Sequence, residues 1–196
     1  MSATTADATA SPDFSLQRKI MTYAHSARII FIDMLGMLDR LVGKALDAGM
    51  TDAVLAEKLT DDMFPLELQF RVALNQVLLA LNQVGGKAVP LDETAYTTLA
   101  EIRERIASIL SQVEEAGAAA WADADAVVDL TLPNGVRFVM SAEEDIRDWI
   151  MPNFYFHVTM VYALLRHAGV PIGKMDFIPH MDRHTAQADA QGRPSS

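Results

Sequence analysis

The 196-residue chain contains no cysteine. Disulfides, thiolate metal ligands and a cysteine nucleophile are therefore excluded. Basic residues are scarce beside acidic ones, 16 Lys and Arg against 26 Asp and Glu, and the formal net charge is −10. A surface of that sign repels phosphate backbones and anionic headgroups, so neither a nucleic acid nor a membrane is expected as a partner. Long apolar runs are missing too. The run Ile29-Ile30-Phe31-Ile32 is cut by Asp33, and nothing approaches the roughly 18 apolar residues of a spanning helix. Met1 to Asp7 have neither a basic stretch nor an apolar core, so no secretory signal is expected. A cytoplasmic location fits all of these absences.

What is present is helical periodicity. Residues 1–14, rich in Ser, Thr, Ala and Asp, read as a disordered leader, and residues 15–178 as one domain. From Ser15 to Ala48, apolar residues from Ile20 through Phe31 and Leu38 to Leu46 recur at spacings of three and four, the stripe of an amphipathic helix. Gly49 is a plausible stop, and Thr51 a cap for a short helix through Lys58. Pro65 suits the first turn of a second long helix, which runs to Gln83 before Gly85-Gly86. A third, with Asp92 as its N-cap candidate, is expected over residues 93–116.

The period then changes. Alternating runs at Val127–Leu132 and Val136–Met140 flank Pro133-Asn134-Gly135, which predicts a β-hairpin. Ser141-Ala142-Glu143-Glu144 is a capping box that opens another helix, and Pro152 is expected to kink or break it. A final helix extends to about His167, with Gly169 as its stop. Residues 179–196 read as a disordered tail. The expected fold is all-α, an antiparallel four-helix bundle with a small β-hairpin between the third and fourth long helices.

The candidate site residues lie on the final helix and the second. His157 stands on an apolar, aromatic segment, with Asn153 four positions before it and so on the same face. Gln69, Gln76 and Asp62, on the second helix or its lead-in, are the polar residues that could meet them. A satisfied polar network across the core is the competing reading. His157 and His167 are about 15 Å apart along a helix and cannot share an ion. His180 and His184 have i, i+4 spacing in a segment without helical support. Gly173-Lys174 lacks the preceding glycines of a phosphate loop. Asp61-Asp62 fits a helix N-terminus better than a cation site.

His157, Arg166 and Gly169, in this helix order, resemble the last helix of the DinB-like bundles. A closer similarity, over roughly Ile20 to Phe177, is to a domain-of-unknown-function branch of that superfamily. It rests on Asp62-Met63-Phe64-Pro65, Pro152-Asn153-Phe154-Tyr155-Phe156-His157, Arg166-His167, Gly169-Val170-Pro171, Gly173-Lys174 and Asp176-Phe177. The resemblance implies a DinB-like bundle and a homodimer. DinB-like proteins that bind a divalent metal use two histidines four apart on this helix and a third from the second helix. Here Asn153 stands where one histidine would be, and residues 59–92 contain none. His25 and Glu67 are the spare candidates. No metal or other cofactor is therefore expected. The expected function is a non-catalytic module, structural or binding a small molecule through His157, Asn153, Gln69 and Asp62. The alternative that the resemblance carries is a thiol-dependent transferase or metal-dependent hydrolase with a non-standard site around His157.

Overall fold

Apolar residues three and four apart build each long helix of the computed structural model, which describes residues 22–186. Helix α1 (Tyr23–Asp47) starts at Thr22, whose side chain accepts from the His25 backbone N–H; residues 15–21 of its expected span, and the expected leader, lie outside the described residues. A 3-10 turn, Asp52–Ala56, leads to α2 (Leu66–Gln83). Thr51 makes no side-chain cap there. Asp52 instead accepts from the Leu99 backbone N–H at 2.9 Å, serving the start of α3 (Leu99–Ala116).

Helix α3 begins six residues later than expected, because the chain first runs back along α2. Asn82 exchanges hydrogen bonds with Val89, Asn75 with Asp92, and Glu67 accepts from the Tyr96 N–H. Asp92 is not a cap. Its carboxylate takes the Tyr96 hydroxyl and the Arg105 guanidinium. Thr98 and Glu101 form the capping box that starts α3. Since this crossover returns to the N-terminal end of α2, α2 and α3 run in the same direction. The α1–α3 pair is antiparallel, with Arg103 on Asp39 and Arg28 on the Val113 carbonyl. The pair of α2 and α5 (Met151–His167) is antiparallel too: Glu57, whose carbonyl accepts from the Leu66 N–H at the start of α2, lines one pocket with His167 at the end of α5.

Strands β1 (Val127–Thr131) and β2 (Arg137–Ser141) form an antiparallel hairpin with Val127 opposite Ser141 and Thr131 opposite Arg137. Pro133 presets the turn, Gly135 adopts φ +86° and its N–H closes onto the Leu132 carbonyl. One face of the hairpin packs inward, where Phe138 meets Trp149 at 5.3 Å between ring centroids. Helices α4 (Ala142–Glu144) and α5 (Met151–His167) are joined by a π-helical turn, Asp145–Ile150. Pro152 therefore does not break the helix. The ladder widens ahead of it, Met151 N–H reaching the Ile146 carbonyl five residues back, and the proline falls in the first positions of α5, where a missing donor costs least.

Beyond α5, Arg166 donates to the Ile172 carbonyl, and Gly169 turns the chain at φ +99°. Helix α6 (Lys174–Phe177) is pinned by Asp176, which accepts from the Gly173 N–H and pairs with Lys44 of α1. Lys44 first, then Gly173, holds that carboxyl below the usual aspartate range. Pro179–His184 is a 3-10 turn fixed to α1 by Arg183 on Asp33; residues 187–196 lie outside the described residues. The four long helices share one apolar core, with Phe31 of α1 edge-on to Phe154 of α5 at 5.4 Å.

One core group is out of keeping with the rest. Asp145, in the π-turn, is 0 % exposed, and neither carboxylate oxygen has a hydrogen-bond partner among the described residues. Burial pushes its carboxyl up to about 6, because the apolar surroundings disfavour the charge. The folded state thus holds this proton more tightly than the unfolded chain. Its contribution to stability is fullest below the ordinary aspartate value and is lost as pH rises through about 6. Asp145→Asn is expected to stabilise the protein at pH 7.5 by on the order of 2 kcal/mol. The gain should vanish at pH 4, which urea denaturation at the two pH values checks. Equal midpoints for variant and parent at pH 7.5 would contradict it.

Candidate functional site

The antiparallel packing of α2 and α5 brings Gln69 and His157 together. His157 Nδ1 lies 2.7 Å from Gln69 Oε1, and both residues are buried, 7 % and 1 % exposed. The direction of this bond follows from its neighbour. Gln69 Nε2 donates to the Phe64 carbonyl at 3.2 Å, which leaves Oε1 facing the imidazole. Nδ1 must then carry the hydrogen, and Nε2 presents a lone pair. Nε2 makes no hydrogen bond among the described residues and is not one of the enclosed orphan atoms, so that lone pair opens to the surface. Burial pushes the imidazole below its ordinary value, which keeps it neutral near pH 7.

Two aromatic rings frame the imidazole. The Phe64 ring lies 10° from parallel to it, 6.3 Å away between centroids, and the Phe156 ring stands edge-on at 5.1 Å. Both phenylalanines are about half exposed, 49 % and 54 %, which is unusual for rings that could have been buried. Phe64 also supplies, through its backbone, the carbonyl that orients Gln69. Neither ring was among the residues expected from sequence, where Phe64 reads as connector and Phe156 as core. Their signal was adjacency: each lies in one of the segments that carry the family resemblance.

The other expected site residues are placed differently. Asn153 Nδ2 donates to the Trp149 carbonyl at 2.7 Å, so this amide bonds its own helix and does not contact the His157–Gln69 pair through Nδ2. Its Oδ1 makes no hydrogen bond among the described residues and is not enclosed. Asp62 is exposed in the turn before Phe64. Gln76, seven residues beyond Gln69 on α2, is buried with Oε1 unpartnered among the described residues, and the enclosed indole N–H of Trp149 is unpartnered among them too. Each lies roughly 10–12 Å along the seam from the His157–Gln69 contact. His25 is in the first turn of α1, about two turns before the Phe31–Phe154 contact. His180 and His184 share a 3-10 turn, where residues four apart do not eclipse, and His184 Nε2 instead accepts from Arg183. Among the described residues no group of three His, Cys, Asp or Glu could hold a metal ion. An open cleft of about 990 Å³ on the α3 side of α2 is lined by Asp92, Tyr96, Glu101 and Arg105. Those side chains already pair with one another or with the adjacent backbone.

This geometry can be set beside known proteins. The family described as a domain of unknown function, DUF1993, matches residues 23–178. The chain belongs to the DUF1993 family. It is also similar to the crystal structure of a DinB family member protein from Shewanella denitrificans. The two share 31 % identity over 77 % of this chain and 88 % of that one, with a TM-score of 0.68. A comparison with curated proteins finds no match. The DUF1993 chain is thus DinB-like in fold: mostly helical, with one two-stranded hairpin. Among the described residues no helix is long and apolar enough to cross a membrane.

His157→Ala would leave the Gln69 carbonyl unpaired in the α2–α5 seam and is expected to cost about 1–3 kcal/mol of stability. The pH dependence follows from the lowered imidazole value. The neutral ring's contribution is complete above the ordinary histidine value and declines as pH falls below it. His157→Ala should flatten that decline, as read from thermal melts between pH 7.5 and 5. Unchanged melting at pH 7.5 would show that the pair does not bear on stability.

Proposed function

We propose that this DUF1993 protein is a non-catalytic binding module that takes a small apolar or amphipathic molecule at His157. One observation carries the reading. The Phe64–Gln69–His157 chain of hydrogen bonds holds the imidazole in a single neutral tautomer with Nε2 unspent, beside two exposed rings. A purely structural histidine would be expected to spend both nitrogens inside the core. The donor set speaks against a divalent-metal enzyme. Gln69 and Asn153 are uncharged amides and His157 stands alone among them, whereas a catalytic zinc-type site draws on about three anionic or imidazole ligands.

The same reading includes a homodimer, the arrangement implied by the DinB-like resemblance. The outer face of the hairpin supports it, since Val127 and Val139 are 76 % and 61 % exposed on the side turned away from Trp149. A second copy would cover them. Sedimentation equilibrium of the full chain is expected to return twice the 21.5 kDa chain mass, and Val139→Lys to return the monomer. A monomer in the parent protein at micromolar concentration would remove the homodimer from the proposal.

Elemental analysis of untagged, natively purified protein is expected to find far less than one transition-metal ion per chain. A stoichiometric metal would overturn the non-catalytic reading and require ligands beyond His157.

A further inference from the structure

We infer that the ligand of this site is a flat aromatic molecule bearing an uncharged O–H or N–H donor. The inference rests on the binding role proposed for His157 and narrows its chemistry. The hydrogen-bonding capacity around His157 is one-sided. Gln69 Nε2 is spent on the Phe64 carbonyl and Asn153 Nδ2 on the Trp149 carbonyl. His157 Nδ1 is spent on Gln69. What remains are acceptors: His157 Nε2 and, one turn earlier on the same helix face, Asn153 Oδ1. A molecule seated here must bring the donors.

Charge narrows the class further. No Lys or Arg makes a hydrogen bond or ion pair with Phe64, Gln69, Asn153, Phe156 or His157 among the described residues. A carboxylate or phosphate seated here would meet two lone pairs and no cation already paired to them, at a cost that grows in a half-buried apolar setting. An uncharged donor meets the same lone pairs as a partner.

The shape comes from the rings. Phe64 is near-parallel to the imidazole and half exposed, and Phe156 stands edge-on to it and is half exposed as well. Flat π-faces in that arrangement favour a flat π-ligand, stacked offset or edge-on. Since Phe64 orients Gln69 through its backbone carbonyl only, removing its side chain deletes the platform and leaves the hydrogen-bond chain intact. That separates stacking from tautomer control in one substitution.

The test uses full-length protein and four probes: phenol, toluene, cyclohexanol and benzoate. Each is titrated while the ¹⁵N resonance of His157 Nε2 is followed at pH 7.5. Phenol, with ring and donor, is expected to move that resonance and to bind about tenfold more tightly than toluene or cyclohexanol, each of which lacks one element. Benzoate is expected to leave it unmoved. Phe64→Ala should weaken phenol about tenfold while the His157 Nδ1–H signal stays in place.

Cyclohexanol binding as well as phenol, or an unchanged phenol affinity in Phe64→Ala, would overturn the aromatic class while the binding role of His157 stands. Toluene equalling phenol, or benzoate shifting Nε2 as strongly, would overturn the donor requirement. If no probe moves the Nε2 resonance, the ligand class and the binding role both fall.

Discussion

The hydrogen bond between Gln69 and His157 is the contact on which this molecule's organisation turns. It is a buried polar contact in the apolar α2–α5 seam, and an apolar seam by itself specifies register weakly. Sliding α5 along α2 by one turn would keep apolar side chains against apolar side chains and strand Gln69 and His157 without each other, at a cost of a few kcal/mol. The same bond sets the chemistry of the surface above it. Because Gln69 is itself held by the Phe64 carbonyl, the imidazole is committed to one tautomer. Register, tautomer and the open lone pair are consequences of one short chain of hydrogen bonds.

The far end of the same helix is organised by a different constraint. Pro152 would interrupt a regular ladder, and the chain answers by widening the preceding turn. In that π-turn Asp145 is withdrawn from solvent. A carboxyl there has no partner among the described residues and holds its proton to about pH 6. The helix is continuous because the turn absorbs the proline, and the stability of that region is tied to acidity because of where the turn places one side chain. π-turns of this kind often mark places where local regularity yields to another demand.

Within the DUF1993 family this chain shows a DinB-like frame with a neutral, acceptor-rich surface at His157. Two histidines four apart would have offered a pair of imidazoles on one face. Histidine with asparagine offers one imidazole and one amide, and the amide N–H is spent on the Trp149 carbonyl of its own helix.

Much of the fold was legible in the sequence, because helix periodicity, capping boxes and hairpin turns are local signals. The stripes of α1, α2, α3 and α5, the Pro133-Asn134-Gly135 turn and the Ser141–Glu144 box all depend on residues within a few positions of one another. His157 and Gln69 were both legible as candidates, since a polar side chain on an apolar stripe stands out in one dimension. Tertiary structure decided what they do. The pairing of these two residues across an 88-residue separation, the parallel run of α2 and α3 enforced by the crossover and the burial of Asp145 depend on which faces meet. Asp145 sits in the run Glu143-Glu144-Asp145-Ile146-Arg147-Asp148, where it reads as one more solvated charge. Its burial within the widened turn ahead of Pro152 is not written in that run, because a shift of one residue in a helix moves a side chain by about 100° around the axis.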